Sequence, residues 1–321
     1  MKKFLNISMT VAMLSACTGD VVAELPVPNA MQLIFKSGFE HVETQDQDDQ
    51  YCFLTESVTG SSTPYNCWAL IKDNPYIGNP RLQYQGGNEF QRLAYITADP
   101  VDPVNTVLCF WIKNANVPMG NDRYKARIQA NMYDVKPLLE FRQKVRMFLP
   151  LQEFGIIKNW DQEITWLTLF EFWNDAGWKG PVPFRISVNL RKAEGKGKML
   201  TFGIHGQQKA ESADQWRNVW DKTSSIEPPF GQWVTVDTYF KEGDKSQGRF
   251  TMTITPDGGS TVTVFDITNW TYSPKSNKPD GLRDVNPMKL YTNHKLVDHV
   301  REHGGELKVY WDDYEFYGVF K

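Results

Sequence analysis

Charged side chains alternate with other residues in the segment 140–146, which reads Glu-Phe-Arg-Gln-Lys-Val-Arg. If this segment is a β-strand, Glu140, Arg142, Lys144 and Arg146 share one face, because successive side chains point to opposite sides of a strand. A row of three cations is costly in a protein core. It suits a solvent-exposed sheet that binds an anionic chain, although a solvated face without a ligand would have the same pattern. The segment is therefore one candidate for a binding surface.

A second segment, 166–175, carries a carboxylate within a mostly apolar strand. Glu171 and Trp173 share one face of this strand. A carboxylate in such surroundings is not left unpaired. It either forms an ion pair with a cation such as Arg146, or does acid–base chemistry with a raised pKa. Trp173 could equally pack in the core or serve as a platform for a sugar ring.

A third segment, 287–293, places Lys289 and Tyr291 on one face. A tyrosine phenol can donate or accept a proton, and a lysine can neutralise a carboxylate of a substrate. A buried tyrosine with a hydrogen-bonded hydroxyl would give the same pattern. His205 follows a predicted strand in the sequence Gly-Ile-His-Gly-Gln and could supply an imidazole to a site or be structural.

Short runs rich in β-branched and aromatic residues recur along the chain, each bounded by Gly, Pro, Asn or Asp. The predicted strands are 33–35, 106–113, 123–132, 141–148, 165–173, 184–190, 200–204, 233–240, 250–255, 262–265, 307–310 and 314–319. Many strands at this spacing predict an all-β sandwich of two antiparallel sheets. One short helix is expected near the C-terminus, over Asn293–His303, with Gly304 as its stop signal.

The N-terminus resembles the signal of bacterial lipoproteins, since Met-Lys-Lys and a short apolar run precede Leu-Ser-Ala-Cys. Residues 1–16 are then a signal peptide, Cys17 is the lipidated residue, 17–31 form a tether, and 32–321 form a single domain. An ordinary signal peptide with a chance cysteine is the alternative. The expected location is the cell envelope, at the outer membrane surface or in the periplasm. In that oxidising setting Cys52 and Cys67 are predicted to form a disulfide, while Cys109 reads as a free core thiol.

The composition excludes some partners and favours others. A net charge of −3 favours neither nucleic acid nor an acidic membrane surface. Aromatic residues make up 13% of the chain, which suits both a sandwich core and sugar binding. No cysteine spacing resembles a zinc site, and no cofactor is expected. Asp312, Asp313 and Glu315 could hold a structural Ca²⁺, although acidic residues at the edge of a sheet would give the same sequence pattern without a metal.

The three polar strands, in this order, resemble those lining the cleft of the jelly-roll (concanavalin A-like) polysaccharide lyases, the group of alginate lyases, heparin lyase I and glucuronan lyase. In alginate lyases the strands read like Arg-x-Glu-x-Arg, Gln-x-His and Tyr-Phe-Lys-x-Gly-x-Tyr. Here they read as segment 140–146, Glu-Phe-Trp at 171–173 and Met-Lys-Leu-Tyr at 288–291. The chain departs from the pattern at Glu171, where the lyases have Gln, and at Trp173, where they have a His base.

The resemblance implies a concanavalin A-like β-jelly-roll and cleavage of an anionic, uronate-containing polysaccharide by β-elimination. Arg146 and Lys289 would neutralise the uronate, Tyr291 would act as base, acid or both, and His205 could replace the missing imidazole. The expected substrate-binding residues are Arg142, Lys144, Trp173, Asn174, Arg185 and Asn189. Two alternatives remain open: a glycan-binding lipoprotein without activity, and a glycoside hydrolase in which Glu171 works with Asp175 or Asp312.

Overall fold

The computed structural model describes residues 31–39, 42–46, 51–56, 80–85, 87–119, 124–132, 135–174, 182–209 and 215–321. This part of the chain contains nineteen β-strands and two helices, and all strand pairs are antiparallel. Neither helix has the length and apolar composition needed to cross a membrane. Cys52 lies in a strand, whereas Cys17 and Cys67 lie outside the described residues, so the lipid anchor and the disulfide stay predictions. Cys109 is a buried free thiol.

One sheet, called the cleft sheet, holds eleven of the described strands. The spatial order begins with β2 (Val42–Asp46), β3 (Tyr51–Glu56), β4 (Pro80–Gln85) and β8 (Tyr124–Met132). The next position is shared by two strands that lie end to end, β17 (Leu282–Asn286) and β18 (Lys289–Asn293). The order then continues with β10 (Thr168–Asn174), β11 (Phe184–Lys192), β12 (Leu200–Lys209) and β13 (Trp216–Thr223). The short β7 (Val117–Pro118) pairs with the start of β8.

The opposite layer, called the outer sheet, holds the remaining strands. Their order is β16 (Val262–Thr268), β15 (Arg249–Pro256), β14 (Trp233–Lys241), β9 (Leu138–Phe148) and β19 (Leu307–Phe320). The far side of β19 pairs with β1 (Gln32–Ser37) along one half and with β6 (Thr106–Ile112) along the other, and β6 pairs with β5 (Arg92–Ala98). A single pair, Leu282 with Leu138, links the two sheets at an edge. The predicted jelly-roll sandwich of two antiparallel sheets is therefore confirmed.

Aromatic and aliphatic side chains fill the space between the sheets. Phe172 of the cleft sheet packs against Phe141 and Phe250 of the outer sheet, with ring centroids 5.2 and 5.9 Å apart. These rings are buried, and tilted aromatic contacts of this length stabilise a core beyond the area they bury. Because each strand alternates, the same strands present a second set of side chains on the opposite face of each sheet.

The predicted C-terminal helix is present as α2 (His294–Glu302), and Asn293 caps it by accepting a hydrogen bond from the backbone N–H of Leu296. A second helix, α1 (Leu151–Asn159), was not predicted from the sequence. It has a glycine at its centre, no side-chain cap and few strong helix signals, so tertiary packing of Phe154 and Ile157 stabilises it rather than local propensity.

Candidate active site

The cleft sheet carries a cleft of about 880 Å³ on the face turned away from the core. Its floor is formed by β18, β10, β11, β12 and β13. Its rim includes the loop 163–166 before β10 and the hairpin between β11 and β12, where Lys198 and Met199 lie. Clefts of this size that combine apolar walls with a few convergent polar groups are the usual places for ligands.

Strand register arranges the side chains on the cleft-bearing face of this sheet in rows that cross the strands. The tyrosine row contains Arg127, Tyr291, Thr168 and Asn189. The glutamate row contains Glu171, Ser187, His205 and Asp221. The tryptophan row contains Trp173, Arg185, Gln207 and Asn218. Neighbouring rows are about 7 Å apart because side chains on one face recur every second residue.

Glu171 lies at the centre of the glutamate row and is only 4% exposed. The ammonium group of Lys289 donates to its Oε2, Ser187 Oγ donates to its Oε1 at 2.9 Å, and Arg185 donates to Oε1 at 3.3 Å. Burial raises the pKa of Glu171, but Lys289 and Arg185 outweigh it and bring the pKa to about 2. Of the two roles left open for this carboxylate, the contacts favour pairing, with Lys289 rather than Arg146 as its partner.

Lys289 is buried as completely as Glu171, with 1% exposure. Burial lowers its pKa to about 8, although Glu171 opposes this change. Its charge is therefore used inside the protein on Glu171. It was expected to neutralise a substrate directly, and its burial leaves that task to a more accessible cation.

Among the residues that the structure describes, Tyr291 contributes the one phenol that lines the cleft. Its ring packs on Trp166 at 4.5 Å, and the ammonium groups of Lys289 and Lys125 lie 5.3 and 5.6 Å from the ring centroid. Tyr291 Oη has no hydrogen-bond partner among the residues that the structure describes. An accessible phenol surrounded by cations is suited to exchanging a proton with an anionic ligand.

Arg127 pairs with Tyr291 across β8 and β18 and is partly exposed. Within the described ranges no carboxylate forms an ion pair with its guanidinium, and its Nε is buried without a hydrogen-bond partner. On the other side of Tyr291, Thr168 Oγ1 donates to Asn189 Oδ1 at 2.7 Å, which fixes the amide of Asn189 in the cleft floor. The tyrosine row therefore combines a proton-exchanging group with an uncompensated cation.

His205 lies in the glutamate row and lines the cleft. Its Nδ1 is 2.9 Å from Arg191 Nη2, and Arg191 is held by both carboxylate oxygens of Asp221. Burial, Arg185 and Arg191 lower the pKa of His205 to about 4, although Asp221 and Glu171 oppose this change. His205 is thus a neutral side chain of the cleft wall at pH 7.

Arg185 lies between two indoles at the end of the cleft. Its guanidinium is 4.4 Å from the Trp216 ring centroid and 5.5 Å from that of Trp173. Both tryptophans are partly exposed and meet edge to face at 5.2 Å.

Asn174, the next residue after Trp173, was expected to bind substrate. It is instead 1% exposed, and its amide donates to Glu242 Oε2 and to the carbonyl of Thr271, because it points to the other face of the strand.

The expectation that the segment 140–146 lines the cleft needs correction, because this segment belongs to β9 in the outer sheet. Arg142 forms a bidentate ion pair with Asp237, with distances of 2.8 and 2.5 Å. Lys144 lies between Asp237 and Glu315 in the strand register. The cations of this face are matched by acids on the neighbouring strands, so they have no need of an anionic ligand.

Arg146, the last cation of this segment, contacts three acids. Its Nη2 is 2.5 Å from Asp257, and its Nη1 is 3.6 Å from both Asp312 and Asp313. The same two acids were expected to contribute to a calcium site. In the described part of the chain, no group of three His, Cys, Asp or Glu side chains is arranged to hold a metal ion. The calcium site therefore stays a prediction without a supporting contact.

Sequence reasoning missed Arg127, Trp166 and Arg191. For Arg127 a signal was present, because Arg-Ile-Gln-Ala-Asn at 127–131 alternates polar and apolar residues within a predicted strand. This segment, on β8, lies beside β18 in the cleft sheet, whereas the segment 140–146 lies in the outer sheet. Arg191 had the same kind of signal, because Arg-Ile-Ser-Val-Asn-Leu-Arg at 185–191 alternates polar and apolar residues along a predicted strand. Trp166 has no comparable local signal, since only the packing of the loop before β10 brings it into the cleft.

No protein-family model and no curated protein matches this chain. Solved structures of similar shape include endo-β-1,4-glucuronan lyase from the fungus Trichoderma reesei, at 12% identity and a TM-score of 0.41, covering 74% of this chain and 90% of that one. An alginate lyase in complex with an alginate tetrasaccharide matches at 15% identity and a TM-score of 0.44, covering 91% and 98%.

The marine PL-14 alginate lyase from Aplysia kurodai matches at 7% identity and a TM-score of 0.45, covering 70% of this chain and 87% of that one. Each TM-score lies below 0.5, so the function has to be argued from the residues of the cleft.

Proposed function

We propose that this protein is a polysaccharide lyase that cleaves a uronate-containing glycan by β-elimination in the cleft. The observation that carries the proposal is the tyrosine row, in which accessible Tyr291 lies beside Arg127, a cation without an acidic partner among the described residues. A uronate carboxylate would satisfy this guanidinium with two parallel hydrogen bonds.

Elimination needs a stabilised enolate-like charge and one group that moves a proton. With the uronate carboxylate bound to Arg127, its negative charge is compensated and the neighbouring C–H bond becomes more acidic. Tyr291 enters this step as the phenolate, and its Oη takes the proton from carbon. The electron pair of the broken C–H bond forms a new carbon–carbon double bond in the sugar as the bond to the glycosidic oxygen breaks. Tyr291 Oη gives its proton to the departing glycosidic oxygen and returns to the phenolate with which the cycle began.

Glu171 and Asp221, two of the three described acids that line the cleft, argue against hydrolysis. A glycosidase needs two carboxyl groups flanking the bond, one of them with a raised pKa so that it can donate a proton. Glu171 has a lowered pKa and is engaged with Lys289, Arg185 and Ser187. Asp221 is engaged with Arg191. Asp312, named as a second carboxylate, lies on β19 of the outer sheet, and Asp175 lies outside the described residues.

The test is incubation of the purified protein with alginate, glucuronan, heparin, chondroitin, pectin and ulvan, following the ultraviolet absorbance of the unsaturated uronate. We expect one of these glycans to give a rising signal. Tyr291→Phe should lower the initial rate by about 10²–10⁴-fold, the usual contribution of a positioned acid–base group. Tyr239→Phe is the matched control, because Tyr239 lies on the outer sheet and donates to Glu140.

Arg127→Gln should raise KM and lower kcat with the same substrate, whereas Arg249→Gln on the outer sheet should change neither. Undiminished absorbance in Tyr291→Phe would remove this residue from the mechanism. Release of reducing ends without absorbance would replace the lyase with a hydrolase.

A glycan-binding protein without activity is the second candidate, favoured by the exposed indoles of Trp173 and Trp216 beside Arg185. It would show no absorbance change but would be retarded in a gel containing its glycan. We also propose that the protein is exported and lipid-anchored at Cys17. Labelling with a radioactive fatty acid in the producing cells, lost in Cys17→Ser, tests this assignment.

A further inference from the structure

Arg191 crosses a neighbouring strand to reach its partners. It starts on β11, lies over Gly203 of β12, and ends between His205 and Asp221. A Cβ atom on Gly203 would lie 2.3 Å from both Cδ and Nε of Arg191. Real side chains do not approach so closely, so only a glycine at 203 leaves the path that this side chain takes.

The guanidinium of Arg191 has a defined orientation in this path. Its Nη1 donates to Asp221 Oδ1 at 2.6 Å, and its Nη2 donates to Asp221 Oδ2 at 3.1 Å. The same Nη2 is 2.9 Å from Nδ1 of His205. Because a guanidinium has no acceptor, Nδ1 has to accept this hydrogen bond through its lone pair. A neutral imidazole has one proton, which must then be on Nε2.

Charges around the ring keep it in this neutral form. Arg191 packs against it from β11 and Arg185 from the same strand, while Asp221 on β13 and Glu171 on β10 act in the opposite direction. Desolvation and the two guanidiniums outweigh the two carboxylates, so His205 carries no charge at neutral pH.

We propose that Arg191 is a positioning residue that fixes His205 as the Nε2–H tautomer, and that His205 donates a hydrogen bond to an oxygen of the bound sugar. The tautomer follows from the contacts alone, whereas the sugar as acceptor rests on the function proposed above. His205 is then not the base that removes the proton: its Nδ1 lone pair is occupied by Arg191, and its Nε2 has no lone pair to offer. The glutamate row thereby binds the sugar chain beside the tyrosine row.

The tautomer can be read from long-range ¹H–¹⁵N spectra of the full chain at pH 7, with His205→Gln to assign the ring. We expect the shift of an unprotonated nitrogen at Nδ1 and of a protonated nitrogen at Nε2. Arg191→Met should convert this pattern to a mixture of tautomers, and Arg191→Lys, which keeps a donor, should restore it in part. Arg249→Met is the control, because it removes an exposed Arg–Asp pair of similar length on the outer sheet.

Gly203→Ala is the sharper variant, since it keeps every charged group and only displaces the Arg191 side chain. It should shift the tautomer as Arg191→Met does, and if it fails to fold, Arg191→Met still decides the question. A proton on Nδ1 in the wild type, or an unchanged pattern in Arg191→Met, overturns the assignment.

The donor role is tested with the glycan that gives the absorbance signal. His205→Gln keeps an N–H donor but cannot act as a base, so its turnover should stay within about threefold of the wild type. His205→Ala should raise KM by about three- to tenfold, the range for loss of one neutral hydrogen bond. Turnover that falls by about a hundredfold or more in both variants would make His205 the base instead. Absence of lyase activity in the wild type would refute the proposed function and the sugar as acceptor, while the tautomer assignment would still stand on its spectra.

Discussion

Replacement of Glu171 by Gln removes the counterion of a buried lysine while keeping the shape of the side chain. Glu171 accepts hydrogen bonds from Lys289, Arg185 and Ser187 through two oxygens. A glutamine has one oxygen, so its amide group would face at least one of these donors. Both Glu171 and Lys289 are almost fully buried, and breaking such a pair from one side costs about 3–5 kcal/mol.

The change in the pKa of Glu171 on folding gives a similar free energy, because protonation and folding are linked. The pKa of Glu171 falls from 4.5 to about 2 on folding, which corresponds to about 3 kcal/mol of stabilisation by the charged form. Burial lowers the pKa of Lys289 to about 8 although Glu171 opposes this change, so without Glu171 the lysine gives up its proton more easily and the cost of the lost counterion is limited. We therefore expect Glu171→Gln to lower the free energy of unfolding by about 3 kcal/mol, and Tm by about 6 °C in a chain of this size.

The pH dependence distinguishes this cause from a general loss of packing. Because the folded pKa lies below the unfolded one, the stabilisation is present above about pH 4.5 and is lost as the pH falls towards 2. Thermal unfolding of both proteins at pH 7 and at pH 2.5 should show a large difference that shrinks in acid. Asp266→Asn, which breaks the exposed pair with Arg249, should change stability by less than about 1 kcal/mol. A Glu171→Gln protein as stable as the wild type at pH 7 would refute the reasoning.

Three further changes test the packing of the sandwich. Burial and Asp313 raise the pKa of Asp312 to about 7, so between pH 4 and pH 7 the unfolded chain loses this proton while the folded protein keeps it, and the wild type becomes less stable as the pH rises. Asp312→Asn has no such carboxyl and should therefore be about 1–2 kcal/mol more stable than the wild type at pH 8 and equal to it at pH 4, as measured by urea unfolding. Gln143 lies between the sheets with neither amide atom hydrogen-bonded among the described residues, so Gln143→Leu should raise the urea midpoint by an amount equivalent to about 1–2 kcal/mol. In Gly206→Ala the new Cβ would lie 2.4 Å from the indole of Trp220, so the variant should lose about 1–3 kcal/mol in thermal unfolding, and a wild-type Tm would contradict the contact.

The fold could be predicted because its signals are local. Alternating side chains, turn residues and aromatic content identified most strands and the sandwich they form, and the capping residue Asn293 marked the start of α2. The same alternation placed Glu171, Lys289 and Tyr291 on the strand faces opposite to their apolar neighbours, whereas their meeting in one site was implied only by the resemblance to the lyases. Prediction was weaker where a feature depends on tertiary packing, as in α1, which has Gly155 at its centre and no side-chain cap to mark its start.

The position of β9 shows why the sequence alone did not identify every strand of the binding face. The segments 127–131 and 140–146 both alternate, and the second has more cations, so charge alone favoured it. What distinguishes them is the strand next to each: β9 lies between β14 and β19, which supply Asp237 and Asp312 opposite its arginines, whereas β8 has Tyr291 opposite Arg127. A cation signals a binding site when its partner in the fold is missing, and that partner comes from strands distant in sequence. The number of cations on one strand is therefore a poor guide to a polyanion site. Arg127, which has no acidic partner in the described part of the chain, is a better guide than the three paired cations of β9.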